Sequence, residues 1–575
     1  MGDIARERET WVFGDESVDV IWRAAKPVEV YGDRFPPLSP GVTIEDGILY
    51  ERDVAMQLRD GTTIYVDVYR PADIDKVPAI VAWSPYGKRE GYSERDSILK
   101  SILPAGSYSP GAKFEGPDPE YWCRYGYAVV NPDTRGSGRC AGDILFTGTA
   151  EGRDGADLIE WVGTQEWCTG KVGMSGNSWL AMGQWFIAAE RPPHLACIAP
   201  WEGASDLYRH LACAGGIPEI GFMDYLVNVR LGPGRVEDIL AMMQEYPTMN
   251  AYWEDKIPAL SRIDVPVSIT AGWSHFHLLG SIEGFRQIPT SLKWLRVHRE
   301  FEWLDTYASE NLEDLRRFFD RYLRNIRNGW ELTPPVRMDV MDAGEEDHVV
   351  RRPEQEFPLR RTEHVPLFLD ATKGKLLFEP TSATGSVDYD AQSGSATFSH
   401  VFTEDTEITG YMKLRLWVEA EGTDDMDLFI AVKKFDDTGE ERPTLVLGQP
   451  HPGAWGMLRV SHREEDQERS TPSEPFLSHD RLLPLSEGEI VPVNIAIWPT
   501  SRFWHAGEEL RVVVGGHYVR DPNWFESFKW DTINRGSHRI HAGGQFDSHL
   551  LIPRIPARTP VLTREALPTL RASRE

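Results

Sequence analysis

Along the first 330 residues, short and nearly unbroken apolar runs alternate with longer stretches in which apolar residues recur every three or four positions. The runs Thr63–Tyr69, Ala79–Trp83, Tyr127–Asn131, Lys171–Ser175, Leu195–Ala199, Val265–Ala271 and Leu292–His298 have the pattern of strands, several of them buried on both faces. Between them, Ala150–Val162, Trp179–Ala189, Leu278–Gln287 and Glu310–Arg324 carry helical spacing, the last as Leu312, Leu315, Phe318, Phe319 and Leu323. The alternation predicts an α/β domain, a mainly parallel sheet with helices on both faces, over residues 1–205 and 263–330.

Residues 206–262 break the pattern with a stretch rich in Met, Tyr and Leu, placed where the sheet should go on to its next strand. A helical cap is expected there, over the crevice at the strand ends where open α/β sheets bind ligands. After two prolines at 334 and 335, strand-like runs separated by Gly, Pro, Asp and Asn dominate: Pro366–Leu369, Tyr411–Glu419, Met426–Lys433, Val491–Ile497, Leu510–Gly515 and His549–Ile552. Alternation such as Lys413-Leu-Arg-Leu-Trp-Val418 sets one face on a core, so residues 336–575 are expected to form a β-sandwich of jelly-roll type.

The formal charge of −28 over 575 residues, with no basic stripe, disfavours nucleic acid and anionic membrane as partners and leaves a small-molecule substrate. No apolar run approaches the ~20 residues a membrane span needs. The N-terminal MGDIARERETW lacks an apolar export region, and five cysteines without a C-x-x-C pair fit a reducing compartment, so a cytoplasmic protein is expected. There is no H-E-x-x-H and no zinc-spaced cluster; neither a metal nor another cofactor is called for. Oligomeric state stays open, a homo-oligomer included.

The segment Gly170-Lys-Val-Gly-Met-Ser-Gly-Asn-Ser-Trp-Leu-Ala-Met-Gly183 carries the chemistry: a strand, a Gly-rich turn and a helix. A serine on so sharp a bend needs very small neighbours, and Ser178 has Gly176 two before it and Ala181 three after. Ser175 also reads as G-x-S, but Asn177 crowds it and the strand would end too early, so Ser178 is favoured. Its helix offers the Trp179 N–H and a positive dipole end to an oxyanion. Tyr86, in Ser84-Pro-Tyr-Gly-Lys88 after an early strand, is the candidate second donor. The expected order on this architecture is serine, acid, histidine. His298 closes a strand and is the candidate base; His275 and His277 lie after the preceding strand, where the acid is expected. His194 and His210 read as structural.

Ser84-Pro-Tyr-Gly-Lys, Asp133-Thr-Arg-Gly-Ser-Gly, Ile159-Glu-Trp, Gly170 through Trp179, Ala199-Pro-Trp-Glu-Gly and Gly272-Trp-Ser together resemble the cocaine esterase and X-Pro dipeptidyl-peptidase family of serine hydrolases. The resemblance runs over nearly the whole chain and implies an α/β-hydrolase domain, a helical cap and a C-terminal jelly roll. Position by position it implies Ser178 as nucleophile, His298 as base, and Tyr86 with the Trp179 amide as oxyanion hole. The expected activity is cleavage of an ester or amide through an acyl-serine; acyl transfer, or a degenerate site that only binds, are the alternatives. Trp201 and Trp273 flank the expected site as candidate substrate contacts, with His277.

One departure matters. The family usually has an aspartate in the loop after Gly-Trp, and here Gly272-Trp-Ser is followed by His275. Losing the carboxylate removes tautomer control from the base, and even an amide in its place costs ~10⁴ in turnover in a serine protease. Three readings stay open: another carboxylate serves, with Glu202 best placed and Asp206 and Asp305 behind it; His275 itself holds His298; or the site is degenerate. Asp133–Gly138 reads as a structural loop with Arg135 paired to a carboxylate, and Cys140 as a small buried residue.

Overall fold

A computed structural model describes residues 5–32, 34–89, 101–109, 111–451, 453–519 and 528–556. Residues 1–4 and 557–575, the outer ends of the first and last expected domains, lie outside the described residues. In chain order the strands are β1 (Arg6–Phe13), β2 (Glu16–Arg23), β3 (Gly41–Glu45), β4 (Ile48–Gln57), β5 (Thr63–Pro71), β6 (Val77–Val81), β7 (Ala128–Pro132) and β8 (Cys168–Asn177), followed by β9 (Leu195–Trp201), β10 (Val236–Glu237), β11 (Val267–Gly272), β12 (Lys293–His298), β13 (Val336–Met341) and β14 (Asp347–Glu354). The main sheet runs β3-β4-β5-β7-β6-β8-β9-β11-β12-β13-β14. It is parallel from β7 to β13 and antiparallel at both edges.

This is the α/β-hydrolase arrangement. The central strands are buried on both faces, and the helices Thr149–Gly163, Trp179–Ala189, Leu278–Gln287 and Ser309–Tyr322 coincide with the predicted ones to within two residues at each end. Ser309–Tyr322 buries Leu315, Phe318 and Phe319, and of its charged residues only Asp320 is buried with them. Trp179–Ala189 is buried at all eleven positions, so its stability comes from packing rather than from an amphipathic stripe.

Two features depart from expectation. Residues 336–341, where the second domain is expected to begin, also extend the hydrolase sheet: β13 pairs in parallel with β12, with β14 folding back on it, while Met341 pairs with Arg502 of the C-terminal strands. The two prolines before β13 shape a sheet connection rather than a linker. The cap residues 206–262 form short helices, among them Ile239–Glu245 and Ala251–Asp255, and also β10, which pairs with β2 and ties the cap to the N-terminal hairpin β1–β2.

The C-terminal part is antiparallel β structure. Ser395–Val401, Glu509–Gly515, Asp427–Phe435 and Ala454–Arg459 pair in one run, and Glu363–Asp370, His549–Ile555, Thr406–Glu421 and Val491–Trp504 in another. Both contribute to one apolar core that includes Leu414, Leu416, Ile430, Val432, Val512 and Leu550.

Parallel strands bring their C-terminal ends to one edge, and the register decides what meets there. Asn177 lies opposite Trp201, Trp201 opposite Thr270, and Gly272 opposite His298. The residues that follow each strand, Ser178, Glu202 and the 273–277 loop, are thereby gathered beside His298.

Candidate active site

Ser178 occupies the residue between β8 and its helix, at φ 57° and ψ −117°, a backbone conformation that L-residues rarely hold. Gly176 makes the bend feasible: at φ 142°, a Cβ there would lie 2.4 Å from Leu180 Cδ2. The loop after β9 approaches as closely, since a Cβ on Gly203 would meet Ala181 Cβ at 2.7 Å. The Ser178 N–H donates to the carbonyls of Trp201 and Glu202, both at 3.2 Å. Ser175, the alternative serine, is fully buried inside β8.

The imidazole at Ser178 is that of His277, with Nε2 at 3.2 Å from Oγ. The expected pairing of Ser178 with His298 is not the one the structure makes. His298 sits at the end of β12, but its Nδ1 lies 3.0 Å from the Glu300 carbonyl, and its Nε2 lies 2.9 Å from Glu202 and 3.4 Å from Asp305. Two carboxylates, Glu202 after β9 and Asp305 on the helix after β12, hold it more strongly than a neutral hydroxyl would. Asp305 in turn pairs with Arg296 at 2.7 Å.

Glu202 contacts two imidazoles. Its carboxylate is 2.8 Å from His275 Nδ1 as well as 2.9 Å from His298 Nε2. The other His275 nitrogen is 3.0 Å from Glu302, which also accepts a hydrogen bond from Asn177 Nδ2 at 2.6 Å. His275 is therefore clamped between two buried carboxylates. Burial disfavours its charge, yet Glu302 and Glu202 outweigh that and raise its pKa well above the ordinary histidine value. Burial would likewise raise the Glu202 pKa, but His275 and His298 pull it well below the usual carboxylate range. Asp206, a reserve candidate for the acid, pairs instead with Arg209 at 2.9 Å.

His277 is the opposite case. Burial, reinforced by the positive charge on His275, lowers its pKa well below the ordinary value, so it is neutral at pH 7. Its Nδ1 is buried with no hydrogen-bond partner among the described residues. Among the described residues, no carboxylate fixes which ring nitrogen carries the proton.

Tyr86 lies beside Ser178. Burial, with Glu115 adding to it, pushes its phenol pKa far up, against Arg230 and the neighbouring Ser178 hydroxyl, so it stays a neutral donor. Its ring packs edge-on against Phe114 and Trp179, with the Arg230 guanidinium 4.9 Å from its centroid. As the first helical residue, Trp179 has no intrahelical acceptor for its N–H. Trp201 meets Ser178 through its carbonyl, and its ring packs against Tyr307. The Trp273 indole donates to the Asp339 carbonyl at 2.8 Å and packs against Phe357. Both expected substrate contacts thus have framework partners. Instead, Phe276, between the two histidines, meets Phe222 of the cap and Phe528 of the β domain at centroid distances of 5.3 and 5.2 Å.

Comparison with known proteins decides the family. Residues 60–238 match the X-Pro dipeptidyl-peptidase (S15 family) model, and residues 328–551 match the X-Pro dipeptidyl-peptidase C-terminal non-catalytic domain. A CocE/NonD family hydrolase from Staphylococcus aureus is 35% identical in sequence and superposes with a TM-score of 0.86 over 90% of this chain and 97% of its own. The chain belongs to the cocaine esterase and X-Pro dipeptidyl-peptidase family of serine hydrolases. The cocaine esterase of Rhodococcus sp. (strain MB1 Bresler) is 24% identical over 87% of this chain and 98% of its own length. An α-amino acid ester hydrolase shares the fold, with a TM-score of 0.69 at 17% identity.

Within this hydrolase, sequence reasoning missed Glu302 and Asn177. In the sequence Asn177 shows only as a residue crowding Ser175. Glu302 follows β12 on a short helix, Glu302–Thr306, and no spacing marks it as facing β11's loop. Glu202, His275 and Glu302 also bring one nitrogen and two carboxylate oxygens within 4.8 Å of one another. Both His275 nitrogens are spent on these carboxylates, so the set is a charge clamp and not a convergent metal cradle. Away from the site, Arg135 pairs with Asp154 at 2.7 Å, and the part-buried Cys140 thiol donates to the Asp133 carbonyl at 3.3 Å.

Proposed function

We propose that this serine hydrolase cleaves an ester or amide of a small carboxylic acid through an acyl-Ser178 intermediate, with His277 as the group that takes and returns the proton. The observation that carries the reading is the 3.2 Å contact from His277 Nε2 to Ser178 Oγ at a strained strand-to-helix turn. His277 abstracts the Oγ proton as Oγ attacks the carbonyl carbon, and the negative charge gathers on the former carbonyl oxygen, which the Tyr86 phenol and the Trp179 N–H stabilise. Return of that proton to the leaving alcohol or amine breaks the scissile bond. Water, deprotonated by the same imidazole, then adds to the acyl carbon; the bond to Ser178 Oγ breaks, Oγ takes the proton back, and the acid leaves.

The buried imidazolium of His275 weakens this base, because a second positive charge on His277 is disfavoured beside it. Its clamp by Glu202 and Glu302 offsets that charge and keeps the 273–277 loop in place. A slow enzyme follows. Phe222, Phe276 and Phe528 favour an apolar acyl or leaving group.

A panel of p-nitrophenyl esters, acyl amides and X-Pro anilides tests the reading. An ester with an apolar acyl group is expected to give a burst of p-nitrophenol equal to the enzyme concentration. Absence of turnover across the whole panel would defeat it.

A further inference from the structure

A cavity of about 480 Å³ lies where the cap, the helix Leu278–Gln287 and the β domain meet. Ser178, His277 and Tyr86 do not line it. Leu279, Met457, Phe476 and Trp498 supply an apolar wall, and the volume falls in the range of roughly 300–1,000 Å³ typical of small-molecule sites.

The charges in the wall are unevenly spent. Asp206 holds Arg209 at 2.9 Å, and the remaining Arg209 donors go to the Leu477 and Ser478 carbonyls at 3.3 and 2.9 Å. Glu283 and Glu474 both lie on Arg286, at 2.8 and 2.6 Å, and the Tyr411 hydroxyl donates to Glu283 at 2.6 Å. Each carboxylate therefore already carries a cation. Arg469 is different: among the described residues its guanidinium makes no ion pair, and it lies over the Phe476 ring, 3.5 Å from the centroid. Arg209 lies over the same ring at 4.6 Å. Asp206, Asp466 and Glu283 act on Arg469 only from a distance, without pairing. A stacked guanidinium keeps its planar edge of N–H donors for a second partner, and a carboxylate matches that fork in two parallel hydrogen bonds.

We propose that this cavity is a second ligand site, taking a small organic carboxylate whose charged end rests on Arg469 and whose aromatic or aliphatic body lies against Phe476, Trp498 and Leu279. Three arginines and three acids balance in the wall, so the anion is recognised by this one guanidinium and not by a net positive field. The inference stands apart from the proposed reaction, since the cavity does not include the nucleophile.

Phenylacetate and its uncharged counterpart phenylacetamide are suitable probes, titrated calorimetrically into the full chain carrying Ser178→Ala so that neither is turned over. Phenylacetate is expected to bind, with phenylacetamide weaker by roughly tenfold or more, as loss of a charge-assisted hydrogen bond implies. Adding Arg469→Gln is expected to abolish the preference for the acid and leave the near-UV circular dichroism unchanged. Equal affinities for acid and amide, a preference that survives Arg469→Gln, or no binding of phenylacetate would each overturn the assignment.

Discussion

The Glu202 carboxylate lies 2.8 Å from His275 Nδ1, on a residue that itself holds a left-handed backbone at φ 47°. Both groups are buried, so each is the other's replacement for water. Removing one partner of a buried pair typically costs about 3–5 kcal/mol, because the survivor keeps its charge in a poor dielectric. Glu202→Gln is accordingly expected to lower unfolding stability by about that amount in urea titrations at pH 7. The pH dependence has two limbs. The depressed Glu202 pKa gives stability that is present above the unfolded carboxyl value and lost as pH falls through the folded one. The raised His275 pKa gives stability that is full below the unfolded histidine value and lost as pH climbs through the folded one. A wild-type profile still rising on alkalinisation past the ordinary histidine range, or a variant as stable as wild type, would contradict the clamp.

His277 and His298 separate on substitution. Without its base a serine hydrolase keeps only what binding and the oxyanion hole supply, so His277→Ala should lower kcat by about 10³-fold or more. His298→Ala should cost much less turnover and more stability, since its ring serves Glu202 and Asp305. The depressed His277 pKa adds a signature: the acid limb of kcat/KM should fall below pH 6.5, the reverse of what a carboxylate-supported histidine gives. Steady-state kinetics of both variants, with the wild-type pH profile, checks this. A greater loss in His298→Ala would return the role of base to that residue.

Tyr86→Phe keeps the ring packing on Phe114 and Trp179 and deletes only the hydroxyl. Loss of one oxyanion donor is worth about 10²–10³ in kcat, with KM little changed. An unaltered kcat would leave the Trp179 amide without this partner.

The sheet, its helices and the Ser178 turn are legible in the chain because each is local: apolar runs, helical spacing, and a Gly176–Ser178 bend that only small neighbours permit. The partner of Ser178 is not local. Three imidazoles, His275, His277 and His298, reach one edge of the sheet from two strand ends, and a two-residue difference within one loop decides which faces Oγ. Strand order alone points to His298; the attraction of Glu202 and Asp305 is what turns it elsewhere. The N-terminal hairpin escaped for another reason. Arg6–Phe13 is mostly exposed and rich in charge, so it has little apolar alternation to betray it. Val336–Met341 reads as the opening of a β domain after two prolines, and its parallel register with β12, which the local pattern does not reveal, joins it to the hydrolase sheet as well.

The central claim is that the Ser178 hydroxyl is the acylated group. Its most direct test is peptide mass spectrometry after exposure of the folded chain to a fluorophosphonate. One adduct per chain is expected, on Ser178, formed far more slowly in His277→Ala. An adduct on Ser175, or ester hydrolysis by a chain that carries no adduct at Ser178 and is not inhibited, would contradict it.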